Sequence, residues 1–161
     1  MKRLWAPWRM DYILANRKPG CFLCDMLQEE RDRDNLILQR VEHAFVVMNK
    51  YPYNNGHLMI APYRHVSLME DLTDDEALAL MQTTQHTLRI LKSVIRPDGF
   101  NVGINLGKAA GAGLEEHLHI HVVPRWNGDT NFMPVLSDTK VMPEALFALY
   151  DRLLPAFQKV S

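Results

Sequence analysis

Apolar and polar residues alternate along much of this chain, and the period of the alternation distinguishes strands from helices. A period of two is typical of a half-buried strand, and spacings of three and four are typical of an amphipathic helix. Pro52 and Asn55-Gly56 make residues 49–56 a dense turn signal, which favours antiparallel neighbours on either side. The predicted strands are Leu36–Arg40, Ala44–Met48, His57–Pro62 and Phe100–Leu106.

The clearest predicted helix begins after Thr73. Thr73 and Glu76 form a capping-box pattern, and Pro97 and Gly99 end the helical periodicity. His86 is expected on the surface of this helix. The stripe predicted to face the sheet is Leu78, Met81, Gln85, Leu88, Leu91 and Ile95.

Two shorter helices are predicted near the ends of the chain. Residues 25–31 are expected to form a short polar helix. Residues 142–157 are expected to form another, with Pro143 in its first turn. Its apolar stripe is Leu146, Leu149, Tyr150, Leu153 and Leu154.

Residues 116–125 carry the most informative pattern, because His117, His119 and His121 occupy alternate positions. Leu118, Ile120 and Val122 fill the gaps, so a strand would direct the aliphatic side chains to a core and the imidazoles to the other face. Besides a merely polar sheet face, such histidines fit metal ligation or nucleophilic and acid–base chemistry. The glycine-rich residues 107–114 just before them would let backbone amides approach an anion.

Composition narrows the class of protein. The chain has 161 residues, 47% of them hydrophobic, and a net charge of −1. We therefore expect a single domain, with no general attraction to nucleic acid or to anionic membranes. With no membrane-length apolar run and no secretory h-region, the expected location is cytoplasmic. The expected core is about 21–126, with an aromatic arm at 1–20 and an extension at 127–161.

Cys21 and Cys24 are the two cysteines of the chain, spaced as Cys-x-x-Cys. A disulfide staple does not fit a cytosolic chain, which leaves a redox pair, half of a zinc site, or two buried thiols. Zinc would need two more ligands. The candidates are the histidines at positions 43, 57, 65, 86, 117, 119 and 121.

The run His117–Val123 matches the signature of the histidine-triad family of nucleotide hydrolases and transferases, which the chain resembles from about Cys21 to Arg125. The Cys-x-x-Cys, Pro62-Tyr63-Arg64-His65 and the segment 124–132 look most like the family's bacterial diadenosine tetraphosphate phosphorylase branch. The resemblance implies an α+β fold, with about five antiparallel strands crossed by one long helix. It also implies a homodimer or higher homo-oligomer and no organic cofactor.

The resemblance implies roles for individual residues. His119 matches the nucleophile, which would form a nucleotidyl-histidine that water or inorganic phosphate then resolves. His121 matches a residue that binds phosphate oxygens or assists the leaving group. The matched nucleotide-binding positions, His119 and His121 included, are Asn49 at the ribose, His57, Asn105 on the phosphate side, and the phosphate loop Gly111, Ala112, Gly113 and Leu114.

The zinc ligands are implied by a resemblance to a related enzyme, galactose-1-phosphate uridylyltransferase. Its ligand positions match Cys21, Cys24, His65 and His117, a set that would close a tetrahedral structural site. The chain departs from the family before the triad, where some members carry Gln or Ser. Glu115 and Glu116 stand here instead, and they would repel a phosphate chain unless they point away.

The favoured function is cleavage or nucleotidyl transfer on a dinucleoside polyphosphate, such as diadenosine tetraphosphate, through His119. Two alternatives belong to other classes. One is a non-catalytic nucleotide-binding regulatory module, and the other is a zinc hydrolase that uses all three histidines as metal ligands. The sequence does not choose between water and inorganic phosphate as acceptor.

Overall fold

The structure is a computed structural model that describes residues 20–110, 117–129 and 143–159. Three helices and five strands lie within these ranges. The helices are α1 (Phe22–Gln28), α2 (Asp74–Val94) and α3 (Leu146–Gln158). The strands are β1 (Ile37–Arg40), β2 (Ala44–Met48), β3 (Leu58–Pro62), β4 (Gly99–Ile104) and β5 (Ile120–Arg125).

The five strands form one antiparallel sheet in the order β1-β2-β3-β5-β4, which confirms the predicted α+β class. β2 has the predicted bounds, and β1, β3 and β4 differ from theirs by one or two residues. β5 starts at Ile120, so His117 and His119 precede the assigned strand instead of lying in it. The reason is that Leu118 N–H donates to the carbonyl of Val66, beyond the end of β3.

The two faces of the sheet carry different layers. One face packs against α2 and α3 in the larger core, which includes Leu58, Ile60 and Val122. The other face packs against the segment of α1, in a smaller cluster that includes Leu23, Phe45 and Met59. The predicted inward direction of Leu118, Ile120 and Val122 is confirmed, since all three are buried in the larger core.

Helix α2 begins as predicted but buries a different face. Thr73 Oγ1 accepts from Glu76 N–H while the Glu76 carboxylate accepts from Thr73 N–H, so the capping box is present. The predicted stripe was wrong in its first half, where Leu78 and Met81 are each 56% exposed. The buried face consists instead of Leu80, Thr83, Thr84, Thr87, Ile90 and Leu91.

The threonines explain this error, because hydropathy scores them as polar. The buried hydroxyl of Thr84 is satisfied within the helix, because it donates a hydrogen bond to the carbonyl of Leu80 one turn earlier. His86 is also not the plain surface residue that was predicted. Its ring is half-buried and packs edge-on against Phe157 of α3, with ring centroids 6.2 Å apart.

The two shorter helices are shifted from their predicted bounds. α1 begins three residues earlier than predicted and carries Cys24 within it. α3 begins at Leu146, so Pro143 lies before the helix and not in its first turn. Leu149, Tyr150 and Leu153 pack into the larger core. The apolar face of this part of the C-terminal extension is therefore buried within the same chain. Among the described helices, none has both the length and the apolarity that crossing a bilayer requires.

Candidate active site

The imidazoles of His119 and His121 lie on the sheet face opposite α2 and α3, with ring centroids 4.7 Å apart. His121 alternates with core residues on β5, and His119 continues the alternation just before the strand, which turns both imidazoles away from the larger core. His57 comes just before β3, the neighbouring strand, and its ring centroid is 5.1 Å from that of His121. Pairing of β3 with β5 therefore brings three imidazoles together from positions 64 residues apart.

His119 has one ring nitrogen committed to the backbone. Nδ1 lies 2.8 Å from the carbonyl oxygen of His117, which can only accept, so Nδ1 carries the proton. The other nitrogen, Nε2, then holds a free lone pair when the ring is neutral. His119 is 7% exposed, and burial lowers the pKa of the imidazole, against the opposing effect of that hydrogen bond. The neutral, nucleophilic form is therefore favoured at neutral pH.

His57 and His121 form a hydrogen-bonded relay, and a backbone N–H determines which nitrogen of each ring carries the proton. The backbone N–H of Tyr53 donates to His57 Nδ1 over 3.0 Å, so the proton of a neutral His57 resides on Nε2. His57 Nε2 lies 2.9 Å from His121 Nδ1, which must therefore accept. A neutral His121 consequently carries its proton on Nε2, and this N–H can donate a hydrogen bond to a bound molecule.

Two asparagines predicted to bind nucleotide adjoin this relay. The side-chain oxygen of Asn49 accepts from Tyr51 N–H over 2.8 Å, and its side-chain nitrogen lies 3.3 Å from His57 Nδ1. The side-chain nitrogen Nδ2 of Asn105 lies 3.4 Å from His121 Nε2. A proton on Nε2 requires the flipped amide orientation, which presents Oδ1 of Asn105 as the acceptor. Both amides thus contact the histidine relay directly, and Asn49 also holds its own turn together.

The predicted phosphate loop lies outside the described residues. This applies to Gly111, Ala112, Gly113 and Leu114, and also to Glu115 and Glu116. The described residues end before this loop at a short 3-10 turn, Lys108–Ala110, which follows Gly107 in a left-handed conformation with φ of 76°. The roles assigned to the loop stay predictions.

A second cluster joins the predicted metal ligands. One ligand atom from each of Cys21, Cys24, His65 and His117 lies within 4.8 Å of all the others. Cys21 Sγ is 3.2 Å from His117 Nδ1, and Cys24 Sγ is 3.3 Å from His65 Nδ1. Tetrahedral zinc, with bonds of about 2.3 Å to sulfur and about 2.0 Å to nitrogen, separates ligand atoms by about 3.5 Å. The spacing and chemistry of these donors fit that geometry.

The backbone also sets the tautomer of His117. Its Nε2 donates to the carbonyl of Pro62 over 2.9 Å, which leaves the Nδ1 lone pair directed at the cysteines. Such a carbonyl partner is typical of histidines that ligate metals. Burial, with the neighbouring Cys21 thiol, raises the pKa of Cys24 to about 11. A cation among these thiols would reverse that shift by stabilising the thiolates.

A cavity of about 460 Å³ lies behind the 49–57 turn, beside the start of α3. Its described lining includes Met48, Lys50 and Leu149, and it includes His57 but neither His119 nor His121. Met48 and Leu149 belong to the larger core. This cavity is therefore at the back of the sheet, separate from the face that carries the two triad imidazoles.

Comparison with known proteins agrees with this arrangement. The family model of the HIT domain matches residues 30–128. This chain belongs to the HIT family. The match includes His57, His65 and all three triad histidines, and so spans both clusters of this HIT domain apart from the Cys-x-x-Cys.

Two curated relatives of this HIT domain have named activities. The AP-4-A phosphorylase of Mycobacterium tuberculosis is 46% identical over 154 residues, covering 91% of this chain and 79% of the relative. The bis(5'-adenosyl)-triphosphatase of Dictyostelium discoideum is 33% identical over 93 residues, covering 58% of this chain and 62% of the relative.

Solved structures agree on the HIT fold. A Zn-bound histidine triad family protein from Mycobacterium smegmatis superposes with a TM-score of 0.70 at 23% identity. The superposition covers 88% of this chain and 95% of the neighbour. A diadenosine triphosphate hydrolase from Plasmodium falciparum superposes with a TM-score of 0.61 at 16% identity, over 78% and 76% of the two chains.

Several groups around the HIT site were missed by sequence reasoning. The ring of Tyr53 stacks on His57 with centroids 4.9 Å apart, and its backbone N–H sets the His57 tautomer. The carbonyls of Pro62 and His117 do the same for two further histidines. Main-chain groups leave no signature in a sequence, since every residue carries a carbonyl and nearly every residue an N–H.

Proposed function

We propose that this protein cleaves dinucleoside polyphosphates such as diadenosine tetraphosphate, as a hydrolase or nucleotidyltransferase that works through a covalent nucleotidyl-His119. The hydrogen bond from His119 Nδ1 to the carbonyl of His117 carries this proposal, because it leaves the Nε2 lone pair free to attack phosphorus. The named activities of the relatives from M. tuberculosis and D. discoideum support the same substrate class.

In the first step, His119 Nε2 forms a bond to the α-phosphorus, and the bond from that phosphorus to the bridging oxygen breaks. The leaving nucleotide departs as its phosphate anion, and the bridging oxygen accepts a hydrogen bond from His121 Nε2–H, the nitrogen that the relay from His57 keeps protonated. For diadenosine tetraphosphate the products of this step are adenylyl-His119 and ATP. Asn105, beside His121 Nε2, is placed to bind an oxygen of the same phosphate chain.

In the second step, an acceptor oxygen attacks the adenylyl phosphorus, and the phosphorus–nitrogen bond to His119 breaks. His119 returns to its neutral form as the bond breaks, the proton of the acceptor is released to solvent, and His121 keeps its own proton as a hydrogen-bond donor to the phosphate oxygens. Water as acceptor gives AMP, and inorganic phosphate gives ADP. Phosphate is favoured, because the AP-4-A phosphorylase of M. tuberculosis is 46% identical to this chain.

We also propose that Cys21, Cys24, His65 and His117 hold a structural zinc ion. A bound zinc ion would supply charge to stabilise the two thiolates and would tie the start of α1 to the backbone just before His119. A zinc centre built from all three triad histidines is not favoured. In the described part of the chain, His117 Nε2 donates to the carbonyl of Pro62 and its Nδ1 faces Cys21 and Cys24, so His117 has no nitrogen for a site shared with His119 and His121.

Product analysis with diadenosine tetraphosphate tests the proposed function. With inorganic phosphate present we expect ADP and ATP in equal amounts, because phosphate resolves adenylyl-His119. Labelled phosphate should then appear as the β-phosphate of ADP. Without phosphate we expect slower formation of AMP and ATP. Two molecules of ADP without label would mean cleavage at the central anhydride, and would contradict attack at the α-phosphorus.

We propose that the protein is cytoplasmic, as its composition suggests. We also propose that it is a homodimer whose subunits pair through β4. β4 is an edge strand, and on and just beyond it Val102 and Leu106 are 47% and 45% exposed. Val102→Lys should convert the dimer to a monomer in light scattering after gel filtration, because a charge would replace the apolar contact. Phe147→Lys, at an equally exposed residue on α3, is the matched control and should stay dimeric. A monomeric wild-type protein would contradict the dimer.

A further inference from the structure

Asp129 is the centre of a hydrogen-bonded network beside the candidate active site. Its Oδ2 accepts from Arg125 Nε over 2.6 Å, from Asn54 Nδ2 over 2.8 Å and from Trp126 N–H over 3.2 Å. Its Oδ1 accepts from a second nitrogen of Arg125 over 2.9 Å. The side chain is only 10% exposed. Such a shared, shielded carboxylate differs from an ordinary surface ion pair, which contributes little.

Asn54 connects this carboxylate to the turn at 49–57. It is 5% exposed, and its side-chain nitrogen donates to the carbonyl of Pro124 over 3.0 Å as well as to Asp129. Gly56 holds the same turn close to β5, with φ of 74°. A Cβ added there would lie 3.1 Å from the Pro124 ring and 2.8 Å from Ile95, so the turn is clamped at this point.

The clamped turn at residues 49–57 also carries the Tyr53 backbone N–H, which orients His57 and, through it, His121. Tyr53, adjacent to Asn54, directs its N–H to His57 Nδ1, and the carbonyl of Asn54 accepts from His57 N–H over 3.2 Å. The backbone on both sides of the turn is therefore fixed relative to the His57 ring. Loss of the Tyr53 contact would leave His57 Nδ1 with only the longer contact from Asn49 Nδ2 over 3.3 Å. His57 could then place its proton on either nitrogen, and His121 would follow.

We propose that Asp129 is a positioning residue for the hydrogen bond that His121 donates to the leaving group. By holding Asn54 it keeps the Tyr53 N–H on His57, which keeps the proton of His121 on Nε2, toward the leaving group. This inference rests on the proposed function, because it assigns His121 the hydrogen bond that the leaving nucleotide accepts. Asp129 itself touches no reacting atom in this account.

Two substrates separate positioning of this donor from general structural damage. The phenyl ester of AMP expels phenolate, a strong base like the tyrosine side chain with its pKa of about 10, whereas the 4-nitrophenyl ester of AMP expels the much weaker base nitrophenolate. For Asp129→Ala we expect kcat on the phenyl ester to fall about 100-fold, the lower range for loss of one donor to a developing oxyanion, with KM changed less than about 3-fold. On the nitrophenyl ester, kcat should fall less than about 3-fold.

Two further variants serve as controls. Asp129→Asn retains an oxygen that can accept from Asn54, so it should recover at least about tenfold of the lost kcat relative to Asp129→Ala. Asp151 forms a bidentate pair with Arg33 at the surface, where its side chain is 53% exposed. Asp151→Ala removes an ion pair of the same kind away from the site, and should leave both kcat values within about 2-fold of wild type.

An equal loss on both substrates in Asp129→Ala would overturn the inference, since it would indicate damage unrelated to hydrogen-bond donation to the leaving group. Long-range ¹H–¹⁵N spectra of histidine-labelled protein give a second readout that needs no turnover. We expect His121 protonated on Nε2 in wild type and a mixture of tautomers in Asp129→Ala. An unchanged tautomer would overturn the inference. Inactive wild type with this tautomer change would instead contradict the proposed function alone.

Discussion

Replacing His119 with alanine will lower kcat for diadenosine tetraphosphate by at least about 10⁴-fold, while the affinity for nucleotide changes little. The expected loss is large because the imidazole forms the covalent bond that divides the reaction into two steps. Among the residues that the structure describes, neither neighbouring triad histidine replaces it, because His121 Nδ1 is engaged by His57 and His117 Nδ1 faces the two cysteines. Steady-state kinetics and equilibrium binding of a slowly cleaved analogue measure the two effects separately.

The control for this variant is zinc content, because His119 lies outside the metal cluster of the described residues. His119→Ala should retain the stoichiometry of wild type. Loss of metal together with activity would favour a zinc centre that includes His119, and would contradict the nucleophile assignment. Turnover within about tenfold of wild type would contradict it as well.

The pH profile of the wild type follows from the state of His119. Attack requires the unprotonated Nε2, so activity falls as pH decreases through the pKa of this imidazole. Burial lowers that pKa below the ordinary imidazole value of about 6.5. The acidic limb of kcat/KM in wild type should therefore lie below pH ~6.5. A limb at higher pH would mean that another group, or a charged His119, controls the reaction.

Removing a zinc ligand is the second change with a large expected effect, and the quantity that it lowers is the stability of the fold. Cys24→Ser should abolish stoichiometric zinc and lower the free energy of unfolding by about 4 kcal/mol, the linkage expected when free zinc exceeds its Kd a thousandfold. For a chain of this length the melting temperature should fall by about 10 °C. The same loss should lower activity, since His117 anchors the backbone to which His119 Nδ1 is bonded.

His43→Ala is the matched control for the zinc ligands. His43 is a candidate ligand by sequence alone, but its half-exposed side chain lies beside Glu42 and outside the metal cluster. It should retain zinc and the melting temperature of wild type. Elemental analysis that finds no stoichiometric zinc in undepleted wild-type protein would contradict the zinc proposal.

The sheet and the face of the triad could be predicted because they depend on local patterns. Short apolar runs on either side of turn residues located β1, β2 and β3, and period-two alternation located β4. Alternation at Leu118, Ile120 and Val122 gave the correct inward side. The buried face of α2 could not be found in this way. Thr83, Thr84 and Thr87 face the core there, and a pattern based on hydropathy reads them as polar.

The site itself depends on contacts that local patterns do not contain. Cys21 and His117 are 96 residues apart, so their proximity came from resemblance to a family and not from periodicity. The tautomers of His57, His117 and His119 are fixed by backbone N–H and carbonyl groups, which every fold possesses. Asp129 had no motif around it, and only the folded turn shows that it holds Asn54.

A covalent adduct on His119 is the direct test of the central claim. Wild-type protein mixed with diadenosine tetraphosphate in the absence of phosphate, quenched within one turnover and examined by mass spectrometry, should carry one adenylyl group on the His119 imidazole. The adduct should form and decay fast enough to account for kcat, and added phosphate should release it as ADP. Full turnover with no adduct, or with the adenylyl group on another residue, would contradict the claim.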